Sequence, residues 1–258
     1  MSIVVMGAVF VDIKGYPLAQ FIPAGRNVGR VVQVHGGVCR NVAEDLANMG
    51  LDTVLLSVVD NTGISRDVLE RLEKHHVDVR YVSRRDDGLG TWLAIFDNNG
   101  DVAASISRRP VLDDVLTTLR ERGDEIFAGA DSVVVEIDME TPILEEMFRL
   151  ADKYRIPVYA VVSNMSIALQ RREMLERTGC IVCNQQEAGM LFSEDYTDLT
   201  SEEMCRILPE KIARAEIRRM IVTMGAQGAV YASLDGESGI CPAQKVDVTR
   251  LSLATSTT

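Results

Sequence analysis

The chain has 258 residues, 47% hydrophobic and 25% charged, enough for one sizeable α/β domain with an appendage but not for two independent domains. Its formal charge of -11 opposes broad contact with phosphate backbones, which rests on basic patches, so no nucleic-acid partner is expected. No apolar run approaches the roughly 20 residues that a bilayer demands, and the N-terminal MSIVVMGAVFVD lacks a basic segment and a small-residue cleavage site, so a cytoplasmic protein without membrane contact is expected.

The first apolar run, SIVVMGAVF, reads as a strand ending near Phe10. From about Lys14 to Val34 the pattern loses its rhythm, and VVQV at the end of that stretch leads into a helix, GGVCRNVAEDLANMG. Strand TVLLSVV and helix RDVLERLEKHH follow, and then a second irregular stretch, GLGTWLAIFDNNGDVAASIS from Gly88 to Ser107. Asn98-Asn99-Gly100 supplies turn chemistry between two strand-like runs there, so this stretch is expected to be a β-hairpin. The remainder alternates again: DSVVVEI, ILEEMFRLADKY, PVYAVV, CIVCN, MCRILPEKIARA and RMIVTMG. Continuous Val/Ile-rich strands separated by amphipathic helices mark a parallel sheet covered on both faces, that is, a doubly wound α/β core. The two irregular stretches are expected to form a small inserted sheet projecting over its crevice. No internal repeat, low-complexity tract or long linker interrupts the chain, so one domain over 1–258 is expected.

Five cysteines, Cys39, Cys180, Cys183, Cys205 and Cys241, are too scattered for a disulfide framework. Cys180 and Cys183 form a CxxC, but no second ligand pair or nearby His completes a metal site, and small apolar residues on a buried strand are the simpler reading. His75 and His76 fall at a helix end, where histidines favour the helix dipole.

The candidate functional residues cluster at strand ends. Gly36-Gly37 opens a helix, lets backbone approach a ligand, and precedes Asn41, which offers both a donor and an acceptor to a hydroxylated substrate. A Gly-Gly turn of purely conformational purpose would look the same. Asp12, two residues past the first run, is expected just beyond the C-terminal edge of the sheet, where open α/β folds bind ligands. Glu140 follows strand DSVVVEI and precedes a helix-starting Pro; a bound hydroxyl and a plain helix-start acid are equal readings. Asn184 and Glu187 stand at another strand-to-helix junction, where their oxygens suit a hydrated Mg²⁺ or, equally, a helix cap. Thr223, Gly225 and Gly228 follow RRMIV in a segment that resembles a nucleotide-phosphate turn, although a plain β-turn uses similar residues.

In this order and spacing the pieces resemble the ribokinase or PfkB family of carbohydrate and nucleoside kinases. The resemblance runs from Val4 to the end. It is carried by Asp12, the GG-x-x-x-N-x-A element from Gly36 to Ala43, VVDNTG from Val58 to Gly63, METP with Glu140, N-x-x-E from Asn184 to Glu187, and T-x-G-x-x-G from Thr223 to Gly228. The stretch AGRNVGRVVQVHGGVCRNVAEDLANMG looks most like the pseudouridine-kinase branch. The resemblance implies a three-layer, ribokinase-like, doubly wound and mostly parallel sheet with a small β lid, its strands inserted at about 13–35 and 86–109. It implies an ATP-dependent phosphotransferase acting on a hydroxyl of a sugar or nucleoside, pseudouridine- or ribose-like, with Mg²⁺ and in some members a monovalent cation. Asp12, Gly36, Gly37, Asn41 and Glu140 would hold the substrate. Asn184 and Glu187 would arrange Mg²⁺ indirectly together with the ATP phosphates, and Thr223, Gly225 and Gly228 would line the nucleotide side. Lys14, Asn27 and the Ser163-Asn164 pair would tune the choice of substrate, and the lid would build a homodimer.

The family places its catalytic base in a G-A-G-D turn, which this sequence lacks. Ser256-Thr257-Thr258 resembles the lead-in to that turn, so the expectation is that the base lies beyond Thr258 and that the 258-residue form is inactive. The alternative is a catalytically dead sugar- or nucleoside-binding or regulatory relative. A dinucleotide-dependent oxidoreductase would need G-x-G-x-x-G after the first strand, where MGAVFVD stands instead.

Overall fold

The computed structural model describes residues 2–244. Its strands are β1 Ser2–Met6, β2 Phe10–Pro17, β3 Gly29–Gly36, β4 Asp52–Val59, β5 Val77–Arg84, β6 Gly90–Phe96, β7 Val102–Arg108, β8 Ser132–Glu136, β9 Val158–Val161, β10 Cys180–Asn184, β11 Arg219–Thr223, β12 Ala229–Ser233 and β13 Ser238–Cys241. Its helices are α1 Val38–Asn48, α2 Gly63–Lys74, α3 Asp113–Phe127, α4 Thr141–Tyr154, α5 Met165–Ala168, α6 Arg172–Glu176, α7 Gln185–Phe192 and α8 Ser201–Arg214. No helix among the described residues is long and apolar enough to cross a membrane. The described chain divides into two units, one of residues 2–6 and 119–244 and the other of residues 7–118.

In the first unit the strand order is β13-β12-β11-β10-β9-β8-β1. Strands β1 and β8 to β11 are parallel, and β12 and β13 add antiparallel edges. Val133, Val135, Ala160, Ile181 and Val222 are fully buried along this ladder, as Val/Ile-rich strands covered on both faces require. Helix α4 carries Pro in its first turn and buries Ile143, Leu144, Met147 and Phe148. A Cβ on Gly123 of α3 would lie 2.5 Å from Leu150 Cδ1, so glycine there permits the close approach of α3 and α4.

In the second unit β4 and β5 pair in parallel, and a separate four-stranded sheet runs β3-β2-β6-β7. Strand β2 is antiparallel to β3 and parallel to β6, and β6 and β7 form the expected hairpin. Gly100 takes φ 89° in its turn. Asn98 also reaches out of the turn, accepting from the Phe21 amide at 2.7 Å and donating to Ala19 O at 2.9 Å.

Register sorts this small sheet into two unlike faces. On one, Asp12, Val34, Trp92 and Ser107 stand in a row beside Lys14, Val32, Ala94 and Ser105. Aromatic contacts tie that face together, with Tyr16 and Phe96 stacked at 4.8 Å and the Lys14 ammonium 5.7 Å from the Trp92 ring centre. The other face carries Ile13, Val31, Leu93, Ile95 and Ile106, of which Val31 is 69% and Ile106 71% exposed.

One boundary differs from the sequence reading. The first strand stops at Met6, and Phe10 already begins β2, so Asp12 lies within a strand of the small sheet. Ala8, Val9 and Val11 are all buried, and an apolar run that stays buried through a connector carries no mark of the break.

Candidate functional site

Asp12 and Lys14 are neighbours on one face of β2, both almost wholly buried, with Lys14 Nζ 3.6 Å from Asp12 Oδ2. Burial pushes the Asp12 carboxyl pKa up against the opposing charges of Lys14 and Arg40. A Cβ on Gly36 would come within 2.6 Å of Asp12 Oδ1, so the bare glycine leaves the carboxylate its place. Gly37 is the N-cap of α1 at φ 99° and ψ 126°, and no side chain caps the helix. A Cβ there would sit 2.4 Å from Ala8 O, so both the backbone angle and the close approach demand glycine. The structure thus brings Asp12, Gly36 and Gly37 together where a helix begins with its amides uncapped by side chains, an arrangement suited to polar ligand oxygens.

Asn41 stands one turn into α1, its amide bonded to Gly37 O at 3.0 Å. Its side-chain Oδ1 accepts from Arg40 Nη1 at 2.8 Å. Arg40 is 4% exposed, and its other terminal nitrogen donates to Glu44 Oε2. Glu44 Oε1 in turn accepts from Arg71 Nε at 2.9 Å and faces His75 Nε2 at 3.5 Å. Burial, helped by the charge of Arg71, lowers the Arg40 pKa to about 10. Arg40 Nε and His35 Nδ1 are buried without partners. The sequence reading quoted Arg40 only as a letter in a motif; its signal was a charged pair four residues apart on a helix that buries that face.

In the VVDNTG segment, Asp60 accepts from Thr62 N and Oγ1 at 3.0 and 2.5 Å and from Ser65 Oγ at 2.7 Å. Burial pushes its pKa up, but the hydrogen bonds from Ser65 and Thr62 prevail and leave it lowered. This acid organises the start of α2, whose N-cap is Thr62.

In the first unit, Glu140 is the exposed N-cap of α4 and makes no side-chain capping bond. Two residues earlier, Asp138 is 2% exposed and accepts from Ser163 N at 3.2 Å and Ser163 Oγ at 2.8 Å. Asp138 was missed in the sequence because EIDMETP offers three acids in five positions and nothing there marks that Glu136 and Asp138 turn inward while Glu140 stays exposed.

Asn184 and Glu187 form a reciprocal capping box at α7: Asn184 Oδ1 accepts from Glu187 N and Glu187 Oε2 from Asn184 N, each at 2.8 Å. Burial raises the Glu187 pKa, the Asn184 amide opposes it, and the negative charge of Asp138 adds to the rise. A carboxyl group whose charge is disfavoured by burial and by a neighbouring acid is one that a nearby cation would relieve. Among the described residues no group of three or more His, Cys, Asp or Glu could hold a metal ion.

Thr223 ends β11 with its hydroxyl 3.4 Å from Cys183 O. Gly225–Gln227 form a 3-10 turn, with Gly225 at φ 56° and Gly228 at φ 92°. A Cβ on Gly228 would lie 2.1 Å from Cys241 O, so this glycine is fixed by the crossing of the β13 end. Cys180 and Cys183 are free thiols on a buried strand, as the simpler reading held, and burial raises the Cys183 pKa well above that of an ordinary thiol. Ser256-Thr257-Thr258 lie outside the described residues.

The fold is shared with solved ribokinases. Ribokinase from Arabidopsis thaliana, complexed with ribose and ATP, matches with a TM-score of 0.75 over 96% of this chain and 80% of that one, at 18% identity. Ribokinase from Giardia lamblia matches at 0.76 over 96% and 76%, at 12% identity. The pfkB family carbohydrate kinase pattern matches residues 1–249, and the chain belongs to that family. Guanosine-inosine kinase of Exiguobacterium acetylicum is 32% identical over 231 residues, covering 89% of this chain and 75% of the relative. Pseudouridine kinase of Escherichia coli is 22% identical over 238 residues, covering 92% and 74%.

Proposed function

We propose that the protein transfers the γ-phosphoryl group of ATP to a hydroxyl of a nucleoside or sugar. The observation that carries this reading is the buried Asp12 seated over Gly36 beside the uncapped start of α1, in a chain of the pfkB carbohydrate kinase family. A substrate hydroxyl donates to the Asp12 carboxylate, while Asn41 and the α1 amides supply donors to its lone pairs. The guanosine-inosine kinase and pseudouridine kinase relatives favour a nucleoside within this class. So does the aromatic face of the small sheet, where Trp92 shares a face with Asp12 and offers a ring on which a base can stack.

In the first unit Thr223, Gly225 and Gly228 are assigned to the nucleotide. Asn184 and Glu187, with Asp138 nearby, are the residues that would hold a hydrated Mg²⁺. The ion, when bound, neutralises charge on the phosphates; catalysis otherwise rests on positioning, and on a base proposed to lie outside the described residues. The exposed Val31, Leu93, Ile95 and Ile106 face supports a homodimer through the lid.

The test is Mg·ATP-dependent release of ADP by protein from the complete reading frame, with guanosine, inosine, pseudouridine, ribose and fructose as acceptors. The expected result is acceptor-dependent turnover, lowered at least tenfold by Asp12→Asn. Binding of an acceptor without turnover would instead indicate a binding or regulatory protein.

A further inference from the structure

We propose that Arg40 is a positioning residue: its buried guanidinium fixes the Asn41 amide with Oδ1 turned inward, so that Asn41 meets the substrate as a hydrogen-bond donor. The inference deepens the proposed function and rests on the role given there to Asn41. A guanidinium has five N–H donors and no acceptor. The Asn41 atom 2.8 Å from Arg40 Nη1 must therefore be the amide oxygen, since the flipped amide would set donor against donor. Arg40 cannot swing away, because its other terminal nitrogen is held by Glu44, one turn along α1 and itself gripped by Arg71. Planar guanidinium geometry makes this two-pronged grip more rigid than a lysine could.

With Oδ1 committed, the Nδ2 group of Asn41 bonds to none of the described residues and is the end left for a ligand. Asp12 in the same unit can only accept when ionised. A hydroxyl both donates and accepts, so Asp12 and Asn41 present the two complementary halves of hydroxyl recognition. A residue free to flip its amide would lose that selectivity, since it would meet the substrate half the time with an acceptor.

The experiment compares Arg40→Met, Asn41→Ala, the double variant, and Arg40→Lys in the complete protein, with KM and kcat measured for the best acceptor among guanosine, pseudouridine, ribose and fructose. Losing one oriented hydrogen bond corresponds to about a tenfold effect. The expected result is a KM raised about tenfold in Arg40→Met with kcat within about twofold, partial recovery in Arg40→Lys, and a double variant no worse than Asn41→Ala alone. Because Arg40→Met leaves Glu44 buried with one partner fewer, Arg40→Met/Glu44→Gln carries the same comparison if the single variant fails to fold. A double variant whose KM reflects the product of both single effects would overturn the inference while leaving the kinase reading standing. Failure of the wild type to phosphorylate any acceptor would remove the kinase reading and the positioning role with it.

Discussion

Replacing Gly37 by alanine separates the two demands the structure makes at the start of α1. The residue sits at φ 99° with the phantom Cβ 2.4 Å from Ala8 O and 3.1 Å from the Phe10 amide. Forcing a side chain into this sparsely populated backbone region costs about 1–3 kcal/mol, and relieving the backbone clash by local shifts adds about 1–3 kcal/mol. Gly50 supplies the control, because it also has positive φ, 80°, yet nothing lies within 4 Å of its would-be Cβ. Gly50→Ala should thus cost only the backbone part, about 1–2 kcal/mol. Guanidinium unfolding of both variants, with m-values held equal, reads the difference. The expected outcome is that Gly37→Ala is the worse by about 1–3 kcal/mol, a large share of the 5–15 kcal/mol typical of a domain. If the two variants unfold within about 0.5 kcal/mol of each other, the Gly37 approach to Ala8 is not what sets the entry into α1.

Further expectations concern charge, thiols and association. The raised folded-state pKa of Glu187 means that, above the 4.5 of an ordinary glutamate, the folded protein holds a proton that the unfolded chain has released. Stability therefore falls as pH rises from there to the folded pKa; Glu187→Gln, which can keep the capping box, should flatten that slope, and parallel unfolding curves against pH would refute the assignment. Iodoacetamide should label the exposed Cys241 first and Cys205 more slowly, sparing buried Cys39, Cys180 and Cys183 until unfolding; early labelling of Cys183, read by mass spectrometry, would contradict its burial. If the apolar lid face pairs two copies, Val31→Glu with Ile106→Lys should halve the mass measured by light scattering, whereas a wild type already monomeric at micromolar concentration would dismiss the lid dimer.

Much of the fold was legible because its signals are local. Val/Ile runs such as DSVVVEI and CIVCN read as strands covered on both faces, as found for β8 and β10, and Asn98-Asn99-Gly100 supplies the hairpin turn. Helix α3 was obscured by LDDVLTTLRERGDEIF, where dense charge and an internal Gly123 mask the stripe of Val115, Leu119 and Ile126. The end of β1 at Met6 was hidden for the opposite reason, since burial continues unbroken through Ala8 and Val9.

For the candidate site, sequence spacing singled out Asp12, Gly36, Gly37 and Asn41 but did not show that Asp12 belongs to a strand of the small sheet. What spacing could not reveal is which polar groups turn inward. Asp138 is distinguished from Glu140, and Arg40 from Asp45, only by tertiary burial, and Asn184 with Glu187 satisfies a helix cap whether or not a cation stands nearby.

The most direct test of the central claim is transfer of radiolabelled γ-phosphate from Mg·ATP to an acceptor, with the complete protein and the products separated by chromatography. The account expects labelled nucleoside or sugar phosphate from at least one acceptor, abolished by chelating Mg²⁺ and sharply reduced in Asp12→Asn. Acceptor binding with no labelled product, or label released only as inorganic phosphate whatever the acceptor, would contradict it.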